Sequence, residues 1–271
     1  MSGEREPVDF EGVRRAGRAV DCALHLVRSA CLPGVAVSAL DRIAAESIEK
    51  DGAVSSMLGY TDGHGGGAFP LHLSVSVNNE IAGGCDANRV IAFGDLVTID
   101  LAAAVKGWHA DAAISWCVGG QEASGRRADL AKAARAVTMA GFLALGQTPD
   151  WAVVLDRMGE AAAELGVVIL KGFDGHGIGR AMHCGPVLPH RLEDLERRGT
   201  GESLVNAGMA ITIEPVVAWS DTDFVRSGWV DRTSDSSDAC FHEVTVLVGS
   251  DRSEVVAGGG DDAVDRYEGA S

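Results

Sequence analysis

The sequence predicts an α+β domain of two similar halves, with helices packed over one face of an antiparallel sheet. Two observations carry this. The order helix, helix, strands runs through the chain twice without any recognisable sequence repeat, and the strand runs follow one another directly instead of alternating with helices. At 271 residues, 46% of them hydrophobic, the chain is long enough for one substantial core, which the two halves are expected to share.

In the first half, Val13, Ala16, Val20, Leu24 and Val27 fall on one stripe of a helix, and Pro33-Gly34 stops it because proline has no amide proton to give. Ser38 and Asp41 read as a capping box for a second helix, whose apolar face (Leu40, Ile43, Ala44, Ile48) runs to Gly52. The period then changes to two. Leu73, Val75 and Val77 alternate with Ser74 and Ser76, and the runs 96–105 and 108–118 flank Lys106-Gly107 as a hairpin. After a polar connection at 119–126 the order repeats, with helices near 128–145 and 151–165 and strands around 167–170, 209–217 and 243–248. The resulting division is a polar tail at 1–9, one domain at 10–249 with halves of about 10–118 and 127–249, and an acidic, glycine-rich tail at 250–271. That last stretch has little to bury and is expected to be disordered.

Composition narrows the function. The formal charge is -16, and no Lys/Arg run offsets it, so nucleic acids and anionic membranes are not expected partners. No apolar stretch approaches the ~20 residues of a membrane helix, and the start is polar where a signal peptide would be basic and then apolar. A soluble cytoplasmic protein is expected. The six cysteines include no C-x-x-C pair, which argues against a zinc ribbon and a disulfide framework.

Several residues carry candidate chemistry. Asp100 and Asp111 lie on the two arms of the hairpin, opposite or diagonally opposite on one face. Two carboxylates so close need a shared proton or a cation between them, unless both are solvated on an open surface. The segment from Gly175 to His183 has too much glycine for a helix, so His176 and His183 project from extended or looped backbone. Its glycines fit neither a dinucleotide fingerprint nor a phosphate loop. Glu214 and Glu243 are charges attached to apolar strands, where each needs a partner or a role. Together with the aspartates and a glycine-flanked histidine they form the makings of one oxygen-rich site.

With these residues in view, the chain resembles a type I methionine aminopeptidase of the pita-bread fold. The motifs that carry the resemblance are Gly94-Asp95-Leu96-Val97-Thr98-Ile99-Asp100, Gly107-Trp108-His109-Ala110-Asp111, Gly175-His176-Gly177-Ile178-Gly179, Thr212-Ile213-Glu214-Pro215 and the strand opened by Glu243. The resemblance implies that Asp100, Asp111, His176, Glu214 and Glu243 hold two divalent metal ions, with Asp111 and Glu243 bridging. Four carboxylates and one imidazole suit Mn, Fe or Co, with Zn also admissible. It further implies that His183 stabilises the tetrahedral intermediate, that Glu214 shuttles the proton, and that Met57, Tyr60, Phe69, Ser74, Met182 and Trp229 wall an apolar pocket. The implied substrate is the N-terminal Met-Xaa bond of a peptide or nascent chain. The sequence does not set the oligomeric state, and a monomer is compatible with it.

Three departures qualify this. Gly83 stands where the family carries a substrate-facing histidine, and loss of such a group typically lowers rate by ~10²–10³. The rim stretch Thr61–Ala68 is long and glycine-rich, and His64 within it, or His72 beyond it, is a candidate replacement for the missing imidazole. In His242-Glu243-Val244 the bridging position falls on Glu243 if the following Thr-Val-Leu-Val run sets the register, and on His242 if it shifts by one. The departures leave two alternatives: a metallohydrolase acting on another small amide substrate, as in secondary metabolism, or a paralogue that binds peptide or inhibitor with impaired turnover. An inhibitor-insensitive aminopeptidase is a special case of the principal reading.

Overall fold

The computed structural model describes residues 7–63, 66–119, 125–198 and 205–259. The first half runs α1 (Phe10–Ala30), α2 (Val37–Lys50), β1 (Val54–Ser55), β2 (Ser74–Val77), β3 (Glu80–Ala82), β4 (Leu96–Val105) and β5 (Trp108–Cys117). The second begins with α3 (Arg126–Leu145) and α4 (Trp151–Glu164), followed by β6 (Val168–Ile169), β7 (Asp174–Gly177), β8 (Cys184–Pro189) and a short α5 (Leu192–Arg198). It closes with β9 (Ala210–Ile213), β10 (Val216–Ala218), β11 (Phe224–Ser227), β12 (Val230–Thr233), β13 (Ala239–Phe241), β14 (Val244–Leu247) and β15 (Glu254–Ala257). The predicted repetition of a helix pair followed by antiparallel strands is therefore present.

The β4–β5 hairpin shows how sequence positions the site. Lys106 (φ 52°) and Gly107 (φ 76°) both occupy the left-handed region, as a two-residue turn matched to the strand twist requires. The pairing is antiparallel along its whole length. Ile99, Leu101 and Ala103 of β4 and Ala110 and Ala112 of β5 join the core that also holds Val13, Ala16 and Val20 of α1. With a period of two, Asp100 and Asp111 must therefore face the other way, away from α1. In the second half, Ile211 and Ile213 of β9 and Val244 and Val246 of β14 pack with Leu130, Val137 and Met158 of the second helix pair. This turns Thr212 and Glu214, and Thr245 and Glu243, to the opposite face.

Three expectations require correction. Among the described residues the apolar interior is three clusters and not one: one under α1 and α2, one under α3 and α4, and a smaller one around Ile81, Leu170, Val216 and Phe241. The polar face between the helix pairs separates them, although Ala210 and Leu247 join the first cluster and Leu96 the second. The capping box of α2 does not form. Ala36 is its N-cap, with no side-chain bond, and the Asp41 carboxylate instead accepts the His72 amide at 2.6 Å and meets its Nδ1 at 3.1 Å. Finally, order does not end at residue 249. β15 pairs with β14, buries Val256 and Ala257, and lies so close to α1 that a Cβ at Gly17 would come within 2.1 Å of the Val256 carbonyl oxygen. A short apolar Glu-Val-Val-Ala run inside a polar tail carries too little local signal to outweigh the composition around it. Residues 260–271 lie outside those described.

Candidate metal centre

Asp100 and Asp111 sit diagonally across the hairpin, Asp100 paired with Ala113 and Asp111 with Ala102. A bridge between Ala113 and Glu243 joins this hairpin to the second half. On the β9–β14 ladder Thr245 pairs with Thr212, so Glu243 and Glu214 stand two residues beyond that pair on their respective strands. His176 comes from β7, which pairs with β9. Each half thus supplies two carboxylates to a common point, and the second half adds the imidazole.

Oxygens of Asp100, Asp111 and Glu243 lie within 4.8 Å of one another, as do donor atoms of His176, Glu214 and Glu243, and of Asp111, His176 and His183. Asp111, His176 and Glu243 each belong to two of these sets. Asp111 and Glu243 are buried, at 6% and 2% exposure, and Asp111 Oδ1 and Glu243 Oε1 have no hydrogen-bond partner among the described residues. Burial pushes the carboxyl pKa values up, to about 6 for Asp111 and about 8 for Glu214, and well above the ordinary range for Asp100 and Glu243, where neighbouring carboxylates add to the effect. Ionised carboxylates in such a place need compensating positive charge. The donor set, four carboxylates and one imidazole with buried unpartnered oxygens, fits divalent cations.

The ligand candidates are held from behind. His176 Nδ1 donates to the Gly177 carbonyl at 3.0 Å, which leaves the Nε2 lone pair directed to the cluster, 3.5 Å from Glu214 Oε1. The Thr212 hydroxyl accepts the His176 amide at 3.0 Å and donates to Glu214 at 2.6 Å. The Thr245 hydroxyl accepts the Asp111 amide at 3.0 Å and donates to the Asp111 carbonyl at 2.7 Å, tying β14 to β5. Both threonines stand in the motifs quoted above without a role assigned to them, although each lies two residues from a candidate glutamate on the same strand face, and that alternation is the signal the sequence carries. The same holds for His109, two residues before Asp111 on the site face, whose Nδ1 lies 2.8 Å from Ser56 Oγ.

Glu243, and not His242, belongs to the donor sets found among the described residues. His242 points among Arg135, Gly258 and Arg28, where burial pushes its pKa down to about 4.

The predicted pocket residues form a chain of rings leading to the cluster. Phe69 meets Trp229 edge to face at 5.3 Å, Trp229 meets Tyr60 at 6.2 Å, Tyr60 meets His183 at 5.2 Å, and His183 meets His176 at 4.3 Å. The Tyr60 hydroxyl lies 2.6 Å from His183 Nδ1. Met57 packs on the same apolar cluster as these rings, Met182 is buried, and Ser74, also buried, lies opposite Asp100 with its hydroxyl unpartnered among the described residues.

Gly83 has φ +73°, and a Cβ on it would stand 2.0 Å from the Trp229 carbonyl oxygen. The backbone of the β11–β12 turn thus occupies the space where a side chain at 83 would begin. His72 is held by Asp41 through its amide and its Nδ1; His64 lies outside the described residues.

Residues 11–250 match the metallopeptidase family M24. The chain is 36% identical over 258 residues to "Methionine aminopeptidase 1" of Mycobacterium tuberculosis, covering 92% of each protein, and 30% identical to a methionine aminopeptidase of Aquifex aeolicus, covering 89% of this chain and 92% of that one. The crystal structure of methionine aminopeptidase from Thermotoga maritima superposes with a TM-score of 0.82 at 28% identity, covering 94% of this chain and 99% of that one. Prolidase from Pyrococcus furiosus shares the fold at a TM-score of 0.67 and 17% identity, with 92% of this chain covered and 63% of that one. The resemblance expected from the ordered motifs is borne out, and the chain belongs to the metallopeptidase family M24, with the pita-bread fold and a divalent-metal-dependent hydrolytic centre.

Proposed function

We propose that the protein is a cytoplasmic aminopeptidase that hydrolyses the bond after an N-terminal methionine in peptides or nascent chains, with two divalent ions, Mn, Fe or Co before Zn, held by Asp100, Asp111, His176, Glu214 and Glu243. The observation that supports this reading is the pair of donor sets sharing Glu243, with Asp111 Oδ1 and Glu243 Oε1 unpartnered among the described residues, at the end of the run of rings Phe69, Trp229, Tyr60 and His183. Ions bound there supply Lewis acidity for the scissile carbonyl and lower the pKa of water.

The chain's own residues do the rest. Tyr60 occupies His183 Nδ1, which leaves Nε2 to donate to the substrate as charge develops on its oxygen. Glu214, held by the Thr212 hydroxyl, carries the proton from water to the leaving amine. Met57, Tyr60, Phe69, Met182 and Trp229 exclude water around an unbranched side chain, and Ser74 contributes a hydroxyl.

One observation favours a second reading, the same metallohydrolase acting on another small amide. At Gly83 the β11–β12 backbone fills the place of a substrate-facing side chain, which alters recognition next to the reacting bond. The test is apoprotein reconstituted separately with Mn, Fe, Co and Zn and offered Met-Ala-type peptides. Release of free methionine is expected with at least one metal. Metal bound in stoichiometric amount without methionine release overturns the aminopeptidase reading and leaves the metallohydrolase of another amide and the paralogue with impaired turnover, which hydrolysis of a wider amide panel then separates.

A further inference from the structure

His190, 2% exposed, takes no part in the chemistry above. Its ring makes one hydrogen bond at each nitrogen: Nδ1 lies 3.1 Å from the Phe173 carbonyl oxygen, and Nε2 lies 3.2 Å from the Glu214 amide nitrogen. A carbonyl can only accept and a backbone amide can only donate, so Nδ1 carries the proton and Nε2 accepts.

The amide it accepts is a particular one. The β9–β14 ladder ends at the Ile213–Val244 pair, and Pro215 follows Glu214 with no N–H to offer. Glu214 is therefore the bend between β9 and β10, where sheet pairing has stopped and a buried amide needs another acceptor. The ring also approaches β7. A Cβ at Gly175 would stand 2.7 Å from the Thr212 carbonyl oxygen and 3.2 Å from His190 Nε2, so a residue without a side chain beside His176 is what admits the imidazole. His190 thus lies between the strand that carries His176 and the bend that carries Glu214. His190 also lines a cavity of about 540 Å³ together with Leu155, Ala162 and Ile169.

We propose that His190 is a positioning residue for the metal centre, holding the β9–β10 bend by the Glu214 amide so that the Glu214 carboxylate stands beside His176. The inference rests on the reading of Glu214 as a metal ligand. The discriminating variants are His190→Leu, which fills space without an acceptor, and His190→Gln, whose Oε1 can take the place of Nε2. The readouts are hydrogen exchange of the Glu214 amide in metal-free protein, Mn affinity by calorimetry and the visible spectrum of the Co-loaded protein.

Loss of a group that orients a ligand typically weakens metal binding by ~10–100-fold, so the Leu variant should fall in that range with a changed Co spectrum, and the Gln variant should stay within about threefold of the parent. The Glu214 amide should exchange at least about tenfold faster in the Leu variant only. If the Leu variant does not fold, His190→Asn replaces it, because its shorter amide can keep the Phe173 contact but cannot reach Glu214. Parent-like Mn affinity and spectrum without the acceptor overturn the proposal, as does equal weakening by Leu and Gln. Glu214→Gln separates the two readings. Unchanged Mn binding in that variant overturns Glu214 as a ligand, while the exchange contrast still decides whether His190 holds the bend.

Discussion

At the scale of single residues, the site depends on groups that never touch substrate. Thr212 accepts the amide of one ligand candidate and donates to the carboxylate of another, so Thr212→Val, which keeps the shape and removes the hydroxyl, should weaken Mn binding by ~10–100-fold. Thr212→Ser should restore it, and equal calorimetric affinities for Val and the parent would refute the role. Gly83 makes the opposite point. Its positive φ and the Trp229 carbonyl oxygen 2.0 Å from a would-be Cβ mean that Gly83→His cannot simply return the family's imidazole. The β11–β12 turn must move to admit it, and the strained backbone alone costs roughly 1–3 kcal/mol. The variant should therefore lose stability in urea denaturation without gaining aminopeptidase turnover; a variant as stable as the parent and faster would show that the turn yields freely.

Among the elements, β15 is the one whose contribution is least visible in composition. Its Val256 and Ala257 are buried, Glu254 meets Arg14 of α1 at 2.8 Å, and the Gly258 amide donates to Asp21 of α1 at 2.8 Å. Ending the chain at Ser253 should lower stability by roughly 2–4 kcal/mol through lost apolar burial and orphaned partners on α1. An unchanged denaturation midpoint would return 254–259 to the tail. The Asp21 contact also sets a pH dependence. Burial pushes its carboxyl up to about 6, whereas an unfolded aspartate titrates near 3.9. The folded state binds the proton more tightly, so stability from this group is fully present below about pH 4 and is lost as pH rises through about 6. Asp21→Asn keeps an acceptor for Gly258 and removes the charge. Its advantage over the parent should grow between pH 4 and 6 and reach roughly 1–3 kcal/mol at pH 7; an advantage that is flat across that window would contradict the assignment.

On the scale of the whole molecule, what the sequence reveals and what it hides follow from the range of the interactions. The β4–β5 hairpin is legible directly, because a two-residue turn and a period of two are local, and they put Asp100 and Asp111 on one face without reference to the rest of the fold. The meeting of that face with Glu214 and Glu243 rested on resemblance, since nothing local states that Ala113 bridges Glu243. His190 and Gly175 were hidden for the same reason, their significance being a contact between segments distant along the chain. This architecture gathers acidic groups from both halves at one seam, where unpaired buried oxygens oppose closure. Cation binding should consequently stabilise the whole fold and not the site alone. A ligand at 100 times its dissociation constant adds ~2.7 kcal/mol, which for a domain of this size raises the thermal midpoint by roughly 5–10 °C. Mn added to apoprotein should produce a shift of that order, chelation should reverse it, and Glu243→Gln should abolish it, because Glu243 belongs to donor sets on both sides of the seam. A midpoint that moves as far in Glu243→Gln as in the parent would place the stabilising cation elsewhere and break the link between the seam and the fold.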